Sequence, residues 1–133
     1  MESAEQRSDI MRAVKSKDTG PEKIVRSVVH RLGFRFRLHC DKLPGKPDLV
    51  FPRLRKVIFV HGCFWHGHHC KRGNRVPRQN SDYWISKIER NKRRDRNVAK
   101  LLRELGWDEM VVWECSLKHT AKVGASLIKY LGD

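Results

Sequence analysis

"KVIFVHGCFWHGHHC", residues 56–70, opens as a run of β-branched and aromatic residues and closes in ten positions that hold four histidines, two cysteines and two large aromatics. The first half has the composition of a strand, because such side chains fill a pleated, half-buried surface. The second half is a ligand-rich loop hung on that strand's end. Upstream, "FRFRLH" (34–39) alternates apolar and basic residues with period two, and "PDLVF" (47–51) is a short apolar run opened by proline. The turn material between these runs, "DKLPGK" and "PRLRK", leaves only short connections, so the three strands are expected side by side and antiparallel.

Helical spacing brackets them. "TGPEKIVRSVVHRLG" (19–33) sets Pro21 in a first turn, Ile24, Val25, Val28, Val29 and Leu32 on one side, and Gly33 as a stop. From Ser81 to Leu105 a second stripe carries Trp84, Ile88, Val98, Leu102 and Leu105, with polar Asn91 and Asp95 on the same line and Gly106 ending it. "EMVVWEC" (109–115) then reads as a buried strand and "SLKHTAKVGASLIKYLGD" (116–133) as a last helix. Helix, strands, helix, strand, helix predicts an α/β fold, a central sheet with helices packed on it. A shorter helix candidate precedes all of this at "SAEQRSDIMRAVKSK" (3–17), with Met11 and Val14 three apart. It fits either a core-packed helix or an arm.

The length, 133 residues, suits one domain. Lys and Arg number 29 against 15 Asp and Glu, a formal charge of +14, which points to a polyanionic partner. Between Lys71 and Arg96 ten basic residues face three acids, so phosphate contact is favoured over an ordinary solvated helix face. No apolar run approaches membrane-spanning length and the first residues lack a secretory pattern, so a cytoplasmic protein without a membrane partner is expected. In that reducing compartment four cysteines beside histidines read as metal ligands rather than disulfides.

Three uses of the 61–70 cluster are compatible with its spacing. Cys63, His68 and Cys70 supply three zinc ligands, and a fourth would come from Cys115, at a strand end, or from Cys40, in a polar loop; Cys115 is preferred because sheet neighbours converge at strand ends. His61 and His66 are left for other work. Asp48 opens a strand whose neighbour ends at His61, so a carboxylate able to bind Mg²⁺ and imidazoles able to move protons meet at one sheet edge, a workable phosphodiesterase site. Phe64 and Trp65 either cap the core or, on a basic surface, form a wedge between base pairs.

"DLVF", "FVHGCFWHGHHC", "YWISKIERN", "RDR", "ELGW" and "VVWEC", in this order, resemble the very-short-patch mismatch repair endonucleases, Vsr. The resemblance implies a restriction-endonuclease-like fold, with a central mixed sheet flanked by helices and a structural zinc site. It implies an Mg²⁺-dependent enzyme that nicks the thymine-bearing strand of double-stranded DNA beside a T:G mismatch left by 5-methylcytosine deamination. It assigns Asp48 to metal binding, His66 to general acid or base chemistry and His61 as a second catalytic imidazole, with Glu22 and Asp95, which would orient His66, in support. Cys63, His68, Cys70 and Cys115 fall on its zinc ligands, Phe64, Trp65 and Trp84 on its intercalating aromatics, and Lys87 and Asn91 on its mismatch readers. The N-terminal residues 1–17, Met11 included, would be a helix or arm contacting DNA, and a monomer is expected.

The sequence departs from the pattern in two places. Where the broader fold has carboxylate, any residue, lysine at the end of a strand, this chain has Phe59, Val60 and His61, so a second carboxylate is missing and Val60 would serve Mg²⁺ through its backbone carbonyl in place of the family's usual threonine. Gly67 stands where a further histidine is familiar. Competing readings are a related nickase or restriction-associated nuclease with another target, and a zinc DNA-binding module without chemistry, which gives Asp48 and His66 no purpose.

Overall fold

The structure, a computed structural model, describes residues 19–70 and 76–132. The N-terminal helix or arm with Met11, and the start of the basic stretch at 71–75, lie outside the described residues. In chain order the elements are helix α1 (Gly20–Arg31), strands β1 (Arg37–Leu38), β2 (Leu49–Phe51) and β3 (Lys56–His61), helix α2 (Ser81–Glu104), strand β4 (Asp108–Trp113), a 3₁₀ turn (Glu114–Lys118) and helix α3 (Thr120–Gly132). The strands form one sheet in the order β1-β2-β3-β4. β1, β2 and β3 pair antiparallel, whereas β3 and β4 pair parallel through the crossover that α2 provides.

Period-two alternation sorts the strand side chains onto two faces. Leu49, Phe51, Ile58 and Val112 pack with Val25 and Val29 of α1 and Val123, Leu127 and Leu131 of α3. Val50, Val57 and Phe59 pack on the other face with Leu102 of α2, with Val98 and Trp107 against them. The result is the helix–sheet–helix layering and mixed sheet expected from the sequence.

Local chemistry sets the ends of α1. The Thr19 hydroxyl accepts from the Glu22 N–H (3.4 Å), and Gly33, at φ 87°, turns the chain out. Its buried line is Glu22, Val25 and Val29, with Val28 and Leu32 packed beside it, so of the stripe read from sequence only Ile24 turns out to solvent.

Three expectations shift. Leu105 lies beyond α2 and is exposed, because the chain turns at Gly106 (φ 84°) and Trp107, whose N–H returns to the Leu102 carbonyl (2.9 Å), meets the sheet instead. β4 buries only Val112, because it is paired on one side only among the described strands. The last helix starts at Thr120, four residues later than its apolar pattern suggested, after the 3₁₀ turn that carries Cys115. No described helix is long and apolar enough to cross a membrane.

Candidate active site

Because β2 runs against β3 while β4 runs with it, the start of β2 and the ends of β3 and β4 collect at one edge. Asp48, just before β2, donates its N–H to the Ile58 carbonyl (3.1 Å), and its Oδ2 accepts from the Val60 N–H (2.6 Å), beside His61. Glu22 reaches the same place from the first turn of α1. One turn on, Arg26 donates to Glu22 Oε2 (3.0 Å) and meets His39 Nε2 (3.0 Å). His39 Nε2 lies 3.6 Å from Glu22 Oε2, while its backbone N–H donates to the Asp48 carbonyl (3.3 Å). Donor atoms of Glu22, His39 and Asp48 fall within 4.8 Å of one another. Burial pushes the Asp48 carboxyl up to about 7, helped by Glu22 and opposed by the Val60 N–H and by Arg26.

Sequence reasoning found Asp48 and Glu22 and missed Arg26 and His39. A signal existed for Arg26, four residues after Glu22 on one helix face. His39 was visible only as the last residue of an alternating run.

His61 ends β3 on the α2 side of the sheet. Its ring stacks on His66 with centroids 3.7 Å apart and planes 2° from parallel, and His66 Nδ1 lies 2.6 Å from Asp95 Oδ2 of α2. A carboxylate can only accept, so a neutral His66 donates through Nδ1–H and keeps Nε2 for a reacting group. Burial, then the neighbouring His66, holds His61 down at about 4 against the pull of Asp95. Among the described residues the buried His61 Nδ1 meets no hydrogen-bond partner. His61, His66 and Asp95 therefore come together as expected.

The cysteine cluster stands next to them. Donor atoms of Cys63, His68, Cys70 and Cys115 also lie within 4.8 Å of one another. The Cys115 N–H donates to Cys63 Sγ (3.4 Å), Cys115 Sγ is 3.6 Å from His68 Nδ1, and none of the four cysteines is in a disulfide. A tetrahedral zinc ion with its usual bond lengths spaces its ligands by roughly 3.3–3.8 Å, which this set can meet. Cys40 packs instead against the α2 layer, so Cys115 is the residue that completes the cluster. Burial, with Cys70 and Cys115 alongside, pushes the Cys63 thiol up to about 12 despite the Cys115 N–H. A cation in the cluster would reverse that balance by stabilising the thiolates.

Phe64 and Trp65 are half-buried and rest edge-on against Trp84 of α2, with centroids at 5.6 and 6.0 Å. Tyr83, exposed and missed from sequence, lies 5.0 Å from Trp84, and Lys87 Nζ sits 5.6 Å from the Trp65 ring and 5.8 Å from Tyr83. Trp84 as an intercalating aromatic and Asn91 as a mismatch reader, the roles the resemblance implies, would turn the first half of the α2 stripe out of the core toward DNA; instead Trp84, Ile88 and Asn91 are buried. The reason is the 62–68 loop, which lies on them. Asn91 Nδ2 donates to the Trp65 carbonyl (2.8 Å) and its Oδ1 accepts from Arg94. Gly67 adopts φ 60°, and a Cβ there would come within 2.7 Å of Ile88 Cγ2, so this loop approaches α2 closely where the chain has glycine.

The family described as DNA mismatch endonuclease Vsr matches residues 2–72. The type II nicking enzyme V.XorIIP of Xanthomonas oryzae pv. oryzae is 50% identical over 125 residues, covering 94% of this chain and 91% of the relative. The type II nicking enzyme V.NmeAIP of Neisseria meningitidis is 43% identical over 115 residues, 86% of this chain and 81% of its own. The DNA mismatch endonuclease Vsr of Escherichia coli is 44% identical over 117 residues, 88% of this chain and 74% of its own. With the matched region running through the strand-and-histidine block and the full-length similarity continuing across Asp95 and Cys115, the chain belongs to the Vsr family of DNA mismatch endonucleases.

Proposed function

We propose that this chain is an Mg²⁺-dependent DNA endonuclease that nicks the thymine-bearing strand next to a T:G mismatch, the opening step in very-short-patch repair of deaminated 5-methylcytosine. The observation that carries it is the His66–Asp95 pair at 2.6 Å, with His61 stacked on it, at the sheet edge that also holds the half-buried Asp48. A binding module has no use for an oriented imidazole next to a carboxylate site.

Asp48 and Glu22 offer oxygen donors that suit a hard cation. Within a strand a residue's N–H and C=O point to the same side, so Val60, whose N–H meets Asp48, turns its carbonyl that way too. A divalent cation held by Asp48 and Glu22 would supply positive charge to a phosphate and to the attacking oxygen. Asp95 fixes the tautomer of His66, whose Nε2 exchanges a proton with the attacking or leaving oxygen. His61 stays neutral and backs the His66 ring. Cys63, His68, Cys70 and Cys115 would hold zinc as a structural ion, all four of its usual positions being taken by protein ligands.

Phe64 and Trp65 enter the duplex, buttressed from below by Trp84 and Asn91, with Lys87 at the mouth. The working form is a cytoplasmic monomer on double-stranded DNA. The test is strand-resolved nicking with Mg²⁺ on T:G and fully paired duplexes of one sequence. Cutting confined to the thymine strand of the T:G duplex is expected. Equal cutting of the paired duplex would give this site another target, and no cutting of either duplex would remove the endonuclease reading.

A further inference from the structure

Trp113 closes β4 and pairs in register with His61, the last residue of β3. Among the described residues, the rings that meet its indole are three histidines. His68 lies almost flat on it, with centroids 4.1 Å apart and planes 18° from parallel. His61 and His66 meet it edge-on, at 5.2 Å and 75° and at 6.3 Å and 74°. Two residues on, Cys115 places its sulfur 3.6 Å from the same His68 ring. One flat, inflexible side chain is thus shared by the cysteine–histidine cluster and by the stacked imidazole pair. A close-packed interior transmits a displaced ring to its neighbours rather than absorbing it.

We propose that Trp113 is a positioning residue: it rests on His68 and holds the His61–His66 stack in register with Asp95, so that the ion in the cysteine–histidine cluster sets the geometry of the reacting imidazoles. This rests on the reading of that cluster as a zinc site and of His61 and His66 as the catalytic pair. A tryptophan that served stability alone would, when lost, lower the melting temperature without a particular effect on those two rings.

The experiment replaces zinc by ¹¹³Cd²⁺ in the loaded protein and follows the histidine side-chain ¹⁵N signals. Cadmium's coupling to His68 reports occupancy in every variant. In the wild type and in Trp113→Phe, which keeps a flat ring, the His61 and His66 signals should move on exchange. In Trp113→Leu they should stay, while kcat for nicking falls roughly tenfold to a hundredfold with KM little changed. Full cadmium occupancy with unmoved His61 and His66 in the wild type would overturn the inference and leave the zinc reading intact. A purified protein that takes up no zinc or cadmium would overturn both. If Trp113→Leu does not fold, the wild-type exchange and the kcat of Trp113→Phe decide: a moved pair with near-normal kcat supports the role, and a still pair ends it.

Discussion

Asp48 sits where ionisation is opposed by burial and by Glu22 and favoured by the Val60 N–H and Arg26, and opposition wins, at about 7. A carboxyl whose folded pKa exceeds its unfolded value of 3.8 stabilises the fold fully below about pH 4, and that contribution is lost as pH rises through about 7. Asp48→Asn avoids this loss. In buffer without added divalent cation it should melt a few degrees above the wild type at pH 8, with the gap closing toward pH 4, and it should not nick; a pH series of thermal melts checks the sign. His61 runs the other way. Its pKa is held at about 4, so its stabilisation is present above about 6.5 and fades as pH falls through about 4, and at neutral pH it has no proton to give. In the proposed mechanism proton transfer then falls to His66. His66→Ala should abolish nicking, and Asp95→Asn, which keeps the shape but can donate as well as accept and so no longer fixes the tautomer, should lower kcat about 10²–10⁴-fold at unchanged KM. Normal turnover by Asp95→Asn would remove the dyad from the chemistry. Asp48 and His61 were legible as neighbours because turn lengths fix antiparallel pairing. The Glu22–Arg26–His39 network was not, since it depends on how α1 crosses the sheet, which no local spacing encodes.

The strands at 49–51 and 56–61 were readable as continuous apolar runs, buried on both faces of the sheet, and the helices by a period of 3.6, as in Val25 and Val29 or Ile88 and Leu102. Periodicity finds a buried stripe without naming what covers it. On α2 the cover is a loop that begins some twenty residues earlier, so Asn91 is read correctly as lying on the stripe and incorrectly as facing outward. Its amide holds the Trp65 carbonyl from beneath. Asn91→Ala leaves that carbonyl without its donor and should cost about 1–3 kcal/mol of stability. Preference for T:G over paired DNA should drop in the same variant. Lys87→Ala, which removes an ammonium lying over Trp65 and Tyr83, should weaken the preference with little change in melting. An unaltered melt for Asn91→Ala would show that the loop holds itself. The 3₁₀ turn does comparable work at the other end of this loop, bringing Cys115 from the end of β4 to Cys63 and His68. Cys115→Ala should therefore purify with depleted zinc and a lowered melting temperature, whereas Cys40→Ala should keep its metal; retained zinc in Cys115→Ala would dissolve the four-ligand set.

Much of the charge lies on the outer face of α2, apart from the groups proposed for the chemistry, and that separation is testable. The +14 balance includes exposed Arg90, Arg93 and Arg96 along α2, while Asp48, His61 and His66 sit at the inner edge of the sheet. Phosphate contacts release counterions, so each one lost should lower the slope of log affinity against log salt by about 0.9 and weaken binding to every duplex alike. The aromatics act by another route. Unstacking a base step costs a few kcal/mol and is least costly where pairing is already poor, so a wedge of Phe64 and Trp65 favours a mismatch without adding charge. Replacing Arg90 and Arg93 by alanine should therefore reduce the salt slope by nearly two units, weaken T:G and paired duplexes equally, and preserve their ratio. Replacing Phe64 and Trp65 should leave the slope alone and collapse the ratio. Asp48→Ala should change neither, because the metal and the proton carriers act on the transition state while affinity comes from the surface. Titrations of the three variants against both duplexes, at several salt concentrations, separate these effects. If the aromatic variant instead loses affinity for both duplexes in proportion and loses about 3–5 kcal/mol of folding stability, Phe64 and Trp65 are core caps over Trp84, and mismatch preference must be built from groups other than a wedge.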